Sequence, residues 1–148
     1  MKKKKTYRRS KLKTLYPDKV IDDCKEIEDW FSGFTNAVAY FEHFGYWAIR
    51  MHCTREKIPV TNAIKKSLSS LSGNDIGLLL YLLKLIDAET YSEMKHVIRE
   101  RNRLVHPGRK GITYRDRKKK DNAIRLLDQS KNCIREIRNT IARKKTKE

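Results

Sequence analysis

From Val20 to Gly45 the apolar and small residues return at steps of four and three: Val20, Cys24, Ile27, Phe31, Phe34, Val38, Phe41 and Gly45. That spacing keeps one face of an α-helix apolar, whereas on a strand it would fall on both faces. Trp30, Ala37, Phe44 and Met51 widen the stripe. The pattern predicts one helix over 18–53, opened by Pro17 with Asp18 as its cap and bent at Gly33 and Gly45. Unbroken, such a helix would be roughly 50 Å long. A domain of this size needs either a kink or a partner chain to cover so long an aromatic face.

The rest of the chain has the same period. Ile58-Pro59 interrupts it, and a second helix is predicted over 60–71, with Ala63, Ile64, Leu68 and Leu71 apolar. Ser72-Gly73-Asn74-Asp75 is a turn with capping residues. The third helix, 75–87, is apolar all round through its leucines and isoleucines, so it is expected to be the central, buried one. Thr90-Tyr91-Ser92-Glu93 has capping-box spacing and opens a fourth helix that runs to Val105, because the residue before Pro107 disfavours helical geometry. A last helix is predicted over 117–144, with Ile124, Leu127, Ser130, Ile134, Ile137 and Ile141 on its seam. No segment alternates with period two. The fold class expected is therefore all-α, an up-and-down bundle of four to five helices. A single domain would span 17–144, between basic tails at 1–16 and 145–148.

The net charge of +17 is concentrated in a few places. Residues 1–13 hold eight basic residues and no acid. Residues 107–120 hold seven against Asp116, and residues 143–148 hold four against Glu148. The remainder is balanced, with 16 basic and 16 acidic residues. Unpaired like charge opposes compaction, so its retention suggests a polyanionic partner. Nucleic acid fits best, because each neutralised phosphate releases counterions. A membrane surface fits less well, since the tails lack an apolar face and no run of residues approaches a membrane span. No apolar segment follows the basic N-terminus, so it does not read as a secretory signal. Cys24, Cys53 and Cys133 are far apart and form no C-x-x-C pair, which suits reduced thiols in a cytoplasmic protein better than a structural zinc site.

The richest chemistry lies where the fourth helix ends, at Arg101-Asn102-Arg103-Leu104-Val105-His106 before Pro107-Gly108. Arg101 falls in the apolar stripe of that helix, so it requires an anion: a carboxylate from another helix or a phosphate from a ligand. His106 titrates near neutrality when unperturbed and can exchange a proton with a ribose hydroxyl or a leaving oxygen. Arg101 can hold a scissile phosphate with two parallel bonds and stabilise the charge that builds up on it. Asn102 can orient His106 or the phosphate. Arg103, Arg109 and Lys110 can guide the strand, and Arg115, Arg117, Lys118, Lys119 and Lys120 extend the basic loop. The plainer alternative pairs Arg101 with a core acid and makes His106 a helix C-cap. On an ideal helix Arg101 and His106 are about 140° apart, so they converge only if the chain leaves helical geometry or a second subunit completes the site. The chain has no P-loop, H-E-x-x-H or acidic metal motif, and no cofactor or metal is expected.

Glu100-Arg101-Asn102-Arg103-Leu104-Val105-His106-Pro107 resembles the signature of HEPN domains, in which arginine, a polar residue, three variable residues and histidine end a helix of a four- or five-helix domain. The likeness covers about 18–144. It implies a metal-independent endoribonuclease, often a toxin or anti-phage effector, acting as a homodimer whose two motifs face one cleft. Family members paired with a nucleotidyltransferase antitoxin often carry a tyrosine two residues after the histidine. Gly108 stands there in this chain, with Tyr114 further on. Two other readings remain: a non-catalytic RNA- or nucleotide-binding module of the same fold, and a basic subunit that meets an acidic protein partner.

Overall fold

A computed structural model describes residues 16–105 and 117–143. Among these residues all regular structure is helical, in six helices: α1 Pro17–Glu26, α2 Trp30–Arg55, α3 Asn62–Ser69, α4 Gly73–Leu82, α5 Ala88–Val105 and α6 Arg117–Ala142. α2 is the central element and packs against α1, α4, α5 and α6. α5 and α6 also pack on one another, and α1 closes on α6. α3 is short and peripheral, with no buried residue.

The single helix expected over 18–53 is two. Ile27, Glu28 and Asp29 separate α1 from α2, and Glu28 takes a left-handed φ of 57°. Asp29 N–H donates to Cys24 O at 2.9 Å and Glu28 N–H to Lys25 O at 3.1 Å, closing the last carbonyls of α1. Asp29 then caps α2 by accepting from Ser32 N at 3.1 Å. The break therefore comes before Gly33, not at it. Gly45 lies inside the continuous α2. It lets α4 approach α2 so closely that a Cβ there would run into Ile76. Pro17 does open α1, but Asp18 sits in the first turn without capping it; Tyr16 occupies the cap position.

Two further expectations are corrected. The third predicted helix is neither central nor buried all round: α4 buries Gly73, Ile76, Gly77 and Leu80 and leaves Leu78, Tyr81 and Leu82 exposed. It ends at Leu82 because Lys84, at φ 61°, turns the chain, and Leu85 N–H closes on Leu80 O at 2.8 Å. α5 begins two residues before the expected capping box. Asp87 accepts from Thr90 N at 2.8 Å, a bond that holds its carboxyl below the ordinary carboxylate range.

The core joins Phe34, Val38 and Phe41 of α2 to Met94, Val97 and Ile98 of α5 and to Leu127, Ile134 and Ile137 of α6. The aromatic face of α2 is thus covered from within the chain, while Phe31 stays half exposed. Charge joins α1 to α6: Lys131 Nζ donates to Asp22 at 2.7 Å and Lys25 Nζ to Asp128 at 2.8 Å. Arg55 donates to the carbonyls of Ile141 and Arg143, at 3.1 and 2.6 Å, and so covers the end of α6.

Candidate functional site

α5 directs Thr90, Met94, Val97 and Ile98 into the core. One turn further along the same stripe comes Arg101, half-buried, and then Leu104, which packs against the core edge. The helix thus seats a guanidinium where its inner face reaches the surface. Arg101 Nε donates to the side-chain oxygen of its neighbour Asn102 at 2.9 Å. Neighbouring residues on a helix do not normally face one another, so the Asn102 amide is folded back across the helix surface. Among the described residues no carboxylate pairs with Arg101. The core acid offered by the plainer alternative is therefore not found there, and the terminal nitrogens of the guanidinium retain their capacity to donate.

Arg103, expected to guide the strand, is ion-paired along its own helix. Glu100, three residues back, takes its guanidinium in a fork, with Nη2 at 2.6 Å from one carboxylate oxygen and Nε at 3.3 Å from the other. Glu100 is the more sheltered partner, its side chain only 13% exposed. Its charge answers Arg103 and leaves Arg101 alone. The i, i+3 spacing was visible in the sequence, but the choice of arginine was not.

His106, Arg109, Lys110 and Arg115 lie outside the described residues, as do Gly108 and Tyr114. The chain is described again at Arg117, which with Lys118, Lys119 and Lys120 forms the first turn of α6. No acid stands in that turn. Cations at the positive end of a helix oppose its dipole, at a cost on the order of 0.3–1 kcal/mol each near the surface. Lys120 offsets part of this through Glu28 of the α1–α2 link at 3.3 Å, and Lys118 has contacts of its own. Arg117 and Lys119 are exposed and form no ion pair with a described residue.

The structure also brings together residues that the motif did not single out. Lys95 and Arg99 lie on one face of α5 with Asn102, and Asn74 of α4 stands opposite them. Their spacing of four and three residues was legible, but nothing in the sequence said that α4 would wall the same face. His43 is buried edge-on against Phe44, with ring centroids 5.0 Å apart. Among the described residues no group of His, Cys, Asp or Glu could hold a metal ion, and no helix is long and apolar enough to cross a membrane. The Cys133 thiol is pushed far up by burial and by Glu93 beside it.

No family model, curated protein or solved structure matches this chain.

Proposed function

We propose that the chain is a metal-independent endoribonuclease of the HEPN type, an up-and-down helical bundle that cuts RNA at Arg101 and His106. The observation that carries this reading is Arg101 itself: a half-buried guanidinium whose bond among the described residues is to a neutral amide. A cation withdrawn partly from water and left without a countercharge suits an anionic ligand. The first turn of α6, cationic against its own dipole, favours the same kind of ligand.

In the proposed reaction a ribose 2′-hydroxyl attacks the adjacent phosphorus. His106 takes the proton from that hydroxyl, or returns one to the departing 5′-oxygen as the P–O5′ bond breaks. Arg101 holds the non-bridging oxygens as charge accumulates on them, and Asn102 fixes the guanidinium by accepting from its Nε. The products are a 2′,3′-cyclic phosphate and a 5′-hydroxyl. A homodimer with two motifs at one cleft would supply one imidazole as base and another as acid. A cytoplasmic toxin or anti-phage effector, with or without a nucleotidyltransferase antitoxin, is the setting that such an activity suits.

The test is incubation of the purified full chain with RNA in EDTA, alongside Arg101→Ala and His106→Ala. Cyclic-phosphate ends that disappear in both variants support the reading. The α6 cations also favour a second reading, because they need only a polyanion: a binding module that cuts nothing. Salt-dependent RNA affinity with no products, in the unaltered chain and in His106→Ala alike, would indicate it.

A further inference from the structure

Lys95, Arg99 and Asn102 occupy the i, i+4 and i+7 positions of α5, a spacing that aligns three side chains along the helix. Asn74, in the first turn of α4, faces them, and Ile98 lines the space between. The result is an open recess of about 260 Å³ whose polar lining is two cations and two amides. Neither Lys95 nor Arg99 forms an ion pair with a described residue. Glu42 approaches the same turn of α4 from α2, near Gly73, but does not line the recess.

The lining is also held in place. Lys95 Nζ sits 4.8 Å from the centroid of the Tyr91 ring. Tyr91 in turn stacks on Tyr81 of α4, with ring centroids 5.4 Å apart and planes 10° from parallel. The ammonium is thus steadied over an aromatic face that satisfies it only in part. Asn102 turns its oxygen to Arg101, which leaves its NH2 group free to donate. The recess therefore offers donors from cations and amides, a set suited to a group that is all acceptor and negatively charged. Asn102 belongs at once to this recess and to the Arg101 site, so a ligand in one lies next to a ligand in the other.

We propose that the recess binds a backbone phosphate of the RNA strand, one that flanks the phosphate held at Arg101. This rests on the ribonuclease reading for its substrate. It assigns the strand a path along α5 from Arg101 back toward Lys95, with Asn102, Arg99 and Lys95 spaced about one helical turn apart.

The experiment measures the affinity of a fluorescent single-stranded RNA for the full chain across a series of salt concentrations. The unaltered protein is compared with Lys95→Ala/Arg99→Ala and with Lys65→Ala/Lys66→Ala, an equal loss of charge on the peripheral α3. Loss of one phosphate contact lowers the slope of log affinity against log salt by about 0.7 for a single strand and weakens binding by about fivefold at 0.1 M salt. The α3 variant is expected to keep the slope. Equal slopes for all three proteins, or equal losses in the two variants, overturn the recess as a phosphate site. RNA that is bound but never cut, with the slope change present, overturns the nuclease reading and leaves the recess standing. RNA that the unaltered protein does not bind overturns both.

Discussion

Replacing Gly45 by alanine sets two effects of known size against each other. Gly45 lies in the middle of α2, where alanine is favoured over glycine by about 0.8–1.0 kcal/mol in helix propensity. Against this stands Ile76 of α4, 1% exposed, whose Cγ2 occupies the space the new methyl would need; Leu80 Cδ1 lies 3.5 Å away on the same side. Ile76 is β-branched and within a helix, so one χ1 rotamer dominates and it cannot easily swing aside. Overpacking of this kind typically costs about 1–3 kcal/mol. The expected net effect is a loss of up to about 2 kcal/mol, a fall in Tm of roughly 3 °C per kcal/mol at this chain length. Urea unfolding followed by circular dichroism measures it. Ile76→Leu moves the obstructing methyl off Cβ, so the double variant should recover at least half of the loss, a coupling that a mutant cycle resolves. A Gly45→Ala protein that is more stable by about 1 kcal/mol would show propensity acting alone, and the close approach of α2 and α4 would be refuted. The site has a stake in the result, since the α4 that packs on Gly45 also carries Asn74.

Other expectations follow from individual contacts. Asp22 is held below the ordinary carboxylate range, first by its hydrogen bond from Lys131 and then by the charges of Lys131 and Lys25. Its depressed folded-state pKa means that its stabilisation is present above the unfolded value near 3.8 and is lost as pH falls through the folded one. Asp22→Asn should thus cost about 0.5–1 kcal/mol at pH 7, a small figure because the pair is part-exposed, and the gap to the unaltered protein should close in unfolding measured below pH 4. Tyr40 Oη is buried with no hydrogen-bond partner among the described residues, and burial pushes its pKa to about 12. Tyr40→Phe should leave stability unchanged or raise it by about 1 kcal/mol in the same urea assay; a loss above that would mean the hydroxyl is satisfied. Burial also raises the thiols of Cys24 and Cys133. Titration with a disulfide reagent should label half-buried Cys53 first in the native protein and Cys133 only on unfolding, and early labelling of Cys133 would contradict its place in the core.

The periodicity of the sequence carried most of the helices. The reach of α5 as far as Val105 and the span of α6 were both legible, because a long apolar seam has few alternatives. The break at 27–29 was not. Helix ends usually advertise themselves with glycine, yet Glu28, Lys57 and Lys84 take left-handed backbone without one. The burial of α4 was overestimated because its leucines say nothing of how many neighbours it has, and Leu78 and Leu82 turned out to face outward. At the site, the inward placement of Arg101 was readable from the stripe of α5. The fork between Arg103 and Glu100, and the wall that Asn74 sets against Lys95 and Arg99, depend on geometry that spacing alone does not encode.

Whether Arg101 and His106 act on one phosphate is decided by the cleavage products and their rates. The full chain, mixed with single-stranded RNA and tRNA in excess EDTA, should give fragments ending in 2′,3′-cyclic phosphate and 5′-hydroxyl. His106→Ala should lower the rate by about 10²–10⁴-fold, the usual range for a positioned acid or base, and Arg101→Ala by a comparable factor. Cleavage that survives either substitution at its original rate, or RNA left intact by the unaltered chain, would contradict the account.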